Sequence, residues 1–72
     1  MKYRIYRITL NNGDWFEVGA TWGNFAINEL IDLHYGGMGL AEFRRTYKPS
    51  AKATGVTTDI PGPWRSNTYE AD

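Results

Sequence analysis

Cysteine is absent from the 72 residues, so the chain has no disulfide staple and no thiolate to hold zinc. A reducing cytoplasm is the compartment this suggests. Histidine occurs once, at His34, which leaves little for imidazole chemistry. Charge of one sign is not in excess. Eight Lys and Arg balance eight Asp and Glu, which argues against bulk polyanion binding, where a basic surplus is the rule. No apolar run approaches the roughly 20 residues of a membrane span. The opening Met1-Lys2-Tyr3-Arg4 does not lead into an apolar h-region, so no signal peptide is expected. A chain this short has room for one domain with a thin core.

Aromatic residues are plentiful: three Trp, five Tyr and three Phe. A thin core cannot hide so many rings, so some are exposed or serve a partner.

Residues 2–10 are rich in Tyr, Ile and Thr, which suits a strand. Asn11-Asn12-Gly13 and then Asp14 to Ala20 complete a hairpin. A two-residue Asn12-Gly13 loop would put Phe16 and Val18 on the opposite face from Ile8 and Leu10. A three-residue loop, 11–13, pairs Ile8 with Phe16 and Tyr6 with Val18, so the bulky apolar groups share a face. Gly13 then supplies the left-handed residue of a G1 bulge. The other face carries Tyr3, Ile5, Arg7, Thr9, Trp15 and Glu17, with Arg7 opposite Glu17.

Thr21 is the expected N-cap of a helix over Trp22–Tyr35. At 100° per residue Trp22, Ala26, Leu30 and Leu33 share an arc, with Ile27 and His34 at its edge. Phe25 falls on the polar side. Gly36-Gly37 stops the helix, with Gly36 at C′. Leu40–Tyr47 alternates as a third strand, with Ala41, Phe43 and Tyr47 toward the helix and Arg44 on the outer side. From Lys48 onward Pro, Ser, Ala, Thr and Gly dominate, and 49–72 reads as a flexible polar tail whose sticky patch is Ile60 to Trp64. The expected fold is α+β: a β-β-α-β domain over 1–48, with a three-stranded sheet of order 2-1-3 covered on one face by one helix.

Catalytic patterns are not apparent. Asp32 and His34 point to different sides of the helix, and no P-loop, GxGxxG or GxSxG occurs. Glu29 and Asp32 read as a solvated face, and Gly36 to Gly39 follows a helix C-terminus, whose dipole repels phosphate. No enzyme, cofactor or metal is expected. The open sheet face is the most informative surface. Tyr3, Ile5, Arg7, Trp15, Glu17 and Arg44 are its candidate partner-binding residues, because Trp, Tyr and Arg are enriched in interface hot spots. The same rings beside arginines also suit base stacking, although residues 1–48 hold six Lys or Arg against five Asp or Glu.

The layout of hairpin (Tyr3–Ala20), helix (Trp22–Tyr35), strand (Leu40–Tyr47) and polar tail resembles the small early proteins of lytic phages that bind host RNA polymerase. The resemblance covers about residues 1–48. It implies a phage-encoded, non-enzymatic regulator that docks on a large host enzyme in the cytoplasm and alters transcription. The alternatives are an anti-CRISPR or other host-defence inhibitor, and a small RNA or single-strand binding module.

Overall fold

The computed structural model describes residues 2–68. Its elements are β1 (Tyr3–Thr9), β2 (Trp15–Ala20), α1 (Gly23–His34), α2 (Leu40–Tyr47), β3 (Ser50–Thr58) and β4 (Gly62–Ser66). The four strands form one antiparallel sheet of order β3-β1-β2-β4. The α+β class therefore holds, with one more strand and one more helix than expected.

The hairpin has the three-residue loop and the register that side-chain parity demands. Ile8 pairs with Phe16, Tyr6 with Val18, Arg7 with Glu17 and Thr9 with Trp15. Gly13 takes a φ of 96°, the left-handed geometry that costs an L-residue with a Cβ about 1–2 kcal/mol. Tyr6, Ile8, Leu10, Phe16, Val18 and Ala20 line the inner face and pack against α1 and α2. This face is the core.

α1 covers that face through Ala26, Ile27, Leu30 and Ile31. Its buried stripe is rotated from the expected arc: Trp22 is 63 % exposed and Leu33 47 %. For Trp22 the cause is the helix start. Trp22, not Thr21, is the N-cap, with extended backbone and no side-chain cap bond, so its ring lies off the helical arc. At the other end Gly36 occupies the position after the Tyr35 C-cap, but Gly37 is the residue with positive φ, 92°.

Residues 40–47, expected as a strand, form α2. Leu, Ala, Glu and Arg are strong helix formers. Glu42 lies in the first turn and Arg44 and Arg45 in the last, each favourable to the helix dipole. What reads as alternation in Phe43 and Tyr47 is also an i, i+4 pair. Their rings sit 5.2 Å apart, and each lies 5.1 Å from Tyr35. Asn11, in the hairpin turn, caps α2: its backbone N–H donates to the Tyr47 carbonyl at 2.9 Å and its side-chain amide to that of Thr46 at 3.0 Å.

Residues 50–66, expected to lie in a flexible tail, supply both edge strands of the sheet, so the domain does not end at residue 48. β3 pairs with β1 and β4 with β2. Spatial neighbours compensate for the weak apolar content of these strands. Thr54 Oγ1 donates to the Ile5 carbonyl at 2.9 Å where Gly55, at φ 90°, lets the strand bulge. The side chain of Asn67 accepts the Trp15 N–H at 2.9 Å and so extends the β4 ladder. The patch Ile60 to Trp64 divides: Ile60 is 74 % exposed in the β3–β4 connection, and Trp64 is 49 % exposed in β4.

The connection from β3 to β4 spans the sheet from edge to edge. Three strand spacings are about 14 Å, and the four residue steps from Thr58 to Gly62 reach about that distance only when extended. The chain must therefore pass straight over β1 and β2. It crosses the outer face at Gly19, where a Cβ would lie 3.0 Å from Thr58 Cγ2 and 3.1 Å from the Ile60 carbonyl oxygen.

Candidate functional site

The outer face of the sheet carries the candidate site. Side-chain parity puts Arg7 and Thr9 of β1, Trp15 and Glu17 of β2, and Ser50 and Lys52 of β3 on it. Arg7 faces Glu17 on one side and Lys52 on the other, while Glu17 faces Arg65 of β4. Lys52, Arg7, Glu17 and Arg65 thus form one row across all four strands.

Glu17 is the centre of that row. Its side chain is 4 % exposed, and it accepts Arg7 Nε on Oε2 at 3.1 Å and Arg65 Nε on Oε1 at 2.6 Å. A buried carboxylate is tolerated because both its oxygens have charged donors. The two guanidiniums keep 43 % and 58 % of their side-chain surface in solvent. The Arg7 guanidinium carbon stands 4.0 Å over the centre of the Trp15 ring, within cation–π range. That of Arg65 is 5.8 Å from Trp15 and 5.2 Å from Trp64. Two arginines and two tryptophans are therefore locked around one acid.

The candidate residues fare differently. Arg7, Trp15 and Glu17 come together as expected, with Glu17 buried on that face between the two arginines it holds. Tyr3 is half-buried at the start of the same face. Ile5 is only 1 % exposed and is no contact residue: it pairs with Gly19, under the crossing connection. Arg44 is not on this face. It sits on α2, on the helical side of the sheet, where its Nη2 donates to Asn24 Oδ1 at 2.8 Å. Placing it beside Arg7 depended on residues 40–47 being a strand. Arg65 and Lys52 are not among the candidates because residues 49–72 read as a tail; Trp64 is legible there only as part of the sticky patch that could cover this face.

A recess of about 460 Å³ lies on the helical side, between Trp22, Asn24, Arg44 and Pro49. His34, at the end of α1, is exposed, and its ring lies 5.4 Å from that of Phe16. Burial, followed by the neighbouring Tyr47 and Asp14, raises the Tyr35 hydroxyl above its ordinary pKa of 10.0. Among the described residues no three His, Asp or Glu side chains converge to hold a metal ion, and no helix is long and apolar enough to cross a membrane. Comparison with protein-family models, with curated proteins and with solved structures finds no match.

Proposed function

We propose that this chain is a non-catalytic binding module that docks on a protein partner through the outer face of its sheet, with Arg7, Trp15 and Arg65 as anchors. The observation that carries this reading is the Glu17-centred cluster. A buried carboxylate fixes two guanidiniums beside indole rings, so their side-chain entropy is already spent before a partner arrives. Trp and Arg are the residue types that dominate interface energies. The zero net charge gives weak long-range steering, so affinity rests on short-range contacts.

Base stacking on Trp15 is disfavoured by the same geometry, because the Arg7 guanidinium already lies on that ring. The likeness to polymerase-binding phage proteins rested on a β-β-α-β layout, whereas this chain runs β-β-α-α-β-β. Host RNA polymerase and a CRISPR effector therefore enter as partner classes to be separated by experiment.

The test is capture of partners from host lysate by the wild-type chain and by Arg7→Gln, Arg65→Gln and Phe25→Ala, each checked for an intact melt. Phe25 is 55 % exposed on α1, across the sheet from the cluster. The proposal expects one partner whose affinity falls at least about tenfold, or 1.4 kcal/mol, in an arginine variant and is unchanged in Phe25→Ala. Subunits of RNA polymerase or proteins of a CRISPR system in the captured fraction decide between the two classes. Capture that survives both arginine changes, or that depends on Phe25, overturns the sheet-face reading.

A further inference from the structure

Beside the Glu17 cluster the outer face opens into a recess of about 320 Å³, lined by Arg7, Thr9, Ser50 and Lys52. The strand register builds it. Arg7 faces Lys52 and Thr9 faces Ser50, so two cations and two hydroxyls form a two-by-two patch across β1 and β3. Like charges directly opposite on a sheet repel. Here Arg7 leans away toward β2, drawn by Glu17 and the Trp15 ring, and the space it vacates is the recess.

The donors around that space are unspent. Arg7 meets Glu17 through Nε, so that ion pair does not use its Nη hydrogens. Lys52 is exposed and has no carboxylate partner among the described residues. Among those residues the Thr9 and Ser50 hydroxyls make no hydrogen bond. At the recess itself two cations, Arg7 and Lys52, stand side by side, and among the described residues only Arg7 is paired with a carboxylate, Glu17.

We propose that the recess is an oxyanion subsite for a phosphomonoester, carried as a phosphorylated side chain on the protein that docks on this face. The proposal rests on the docking reading above and specifies its chemistry. A phosphomonoester brings three terminal oxygens and a charge of about −1.5 to −2 at neutral pH, which suits a recess lined by two cations and gives each kind of donor, guanidinium, ammonium and hydroxyl, an oxygen. A carboxylate brings two oxygens and one charge and leaves part of the set unused. Arg7 needs no reordering to meet the anion, because Trp15 and Glu17 already hold its plane. The chain as a whole is neutral, which favours one doubly charged group over the run of phosphates along a nucleic acid.

The experiment is an amide chemical-shift titration of the intact chain with four probes: a short phosphoserine peptide, its serine and glutamate counterparts, and a single-stranded oligonucleotide. The expected result is saturable shifts at Arg7, Thr9, Ser50 and Lys52 with the phosphoserine peptide. Affinity for that peptide should drop roughly tenfold in Lys52→Gln and several-fold in Ser50→Ala, with no change in Phe25→Ala. Equal response to the glutamate peptide overturns phosphomonoester selectivity. Tighter binding of the oligonucleotide overturns the protein source. Absence of a saturable response at these four residues overturns the subsite altogether. The two readings fail separately. Partner capture that depends on Arg65, with no phosphopeptide response, removes the subsite and leaves the docking face. Phosphopeptide binding, with capture indifferent to Arg7 and Arg65, does the reverse.

Discussion

Replacing Glu17 by glutamine removes the charge that joins three strands while keeping the shape of the side chain. In the native arrangement each carboxylate oxygen takes one guanidinium Nε–H, at 2.6 and 3.1 Å. Glutamine has one acceptor oxygen, so one of these bonds persists in weaker form. On the other side an amide donor meets a guanidinium donor. A hydrogen bond to a charged group contributes about 1.5–3 kcal/mol net when both partners are well desolvated. The arginine side chains are 43 % and 58 % exposed, so the orphaned guanidinium recovers water, and the expected loss shrinks to about 1–2 kcal/mol. For a domain of this size that corresponds to a fall in Tm of roughly 5–15 °C. The assay is urea and thermal unfolding followed by far-UV circular dichroism, since the Trp15 fluorescence changes with its arginine neighbour. Adding Arg65→Gln to Glu17→Gln in a double-mutant cycle isolates the pair at 2.6 Å and should return a coupling of about 1 kcal/mol. A Tm within about 1 °C of wild type, with no coupling, would show that the cluster contributes no more than an exposed surface ion pair and would remove the argument that it is pre-organised.

Three further outcomes follow from the geometry. A chain ending at Pro49 keeps only the β1–β2 hairpin under α1 and α2 and leaves both edges of the hairpin unpaired, with Ile5 uncovered; it should lose its cooperative melt, and a retained transition would show that β3 and β4 are dispensable. Gly13→Val should cost roughly 1–2 kcal/mol because φ is 96° there, more than Asn12→Ala, which loses the bond from the Asp14 N–H to Asn12 Oδ1 worth about 1 kcal/mol or less; chemical denaturation ranks the two. Tyr35 has its pKa raised in the fold, chiefly by burial, so its contribution to stability is fully present below about pH 10 and is lost as pH rises through the elevated value. Thermal melts from pH 7 to 11 should therefore fall at the alkaline end, and less steeply in Tyr35→Phe; an identical slope in both would assign the fall to other groups.

Local pattern is enough to specify the hairpin, its register and the core face of the sheet. Parity leaves one solution there: only the three-residue loop brings Ile8, Phe16, Tyr6 and Val18 together, and Gly13 is the residue that such a loop requires. That register also set Arg7 opposite Glu17. The extent of α1 was legible within a residue at each end, from its 3.6-residue pattern and the following glycines. Residues 40–47 were ambiguous in principle, because eight residues with Phe43 and Tyr47 four apart satisfy a strand and a helix alike. The aromatic cluster with Tyr35 and the cap from Asn11 decide for the helix, and both are contacts between distant parts of the chain. β3 and β4 lie further from view. Thr and Val in β3 favour a strand, but Ser, Ala, Lys and Gly interrupt them and no apolar alternation marks a buried face, so these ladders exist because β1 and β2 each offer an open edge. The burial of Ile5, the third member of the Arg7–Glu17–Arg65 cluster and the Lys52 recess all depend on those two strands. A local pattern can specify which face of a strand is buried, but not which distant segment comes to lie beside it; that was decided by the tertiary structure alone.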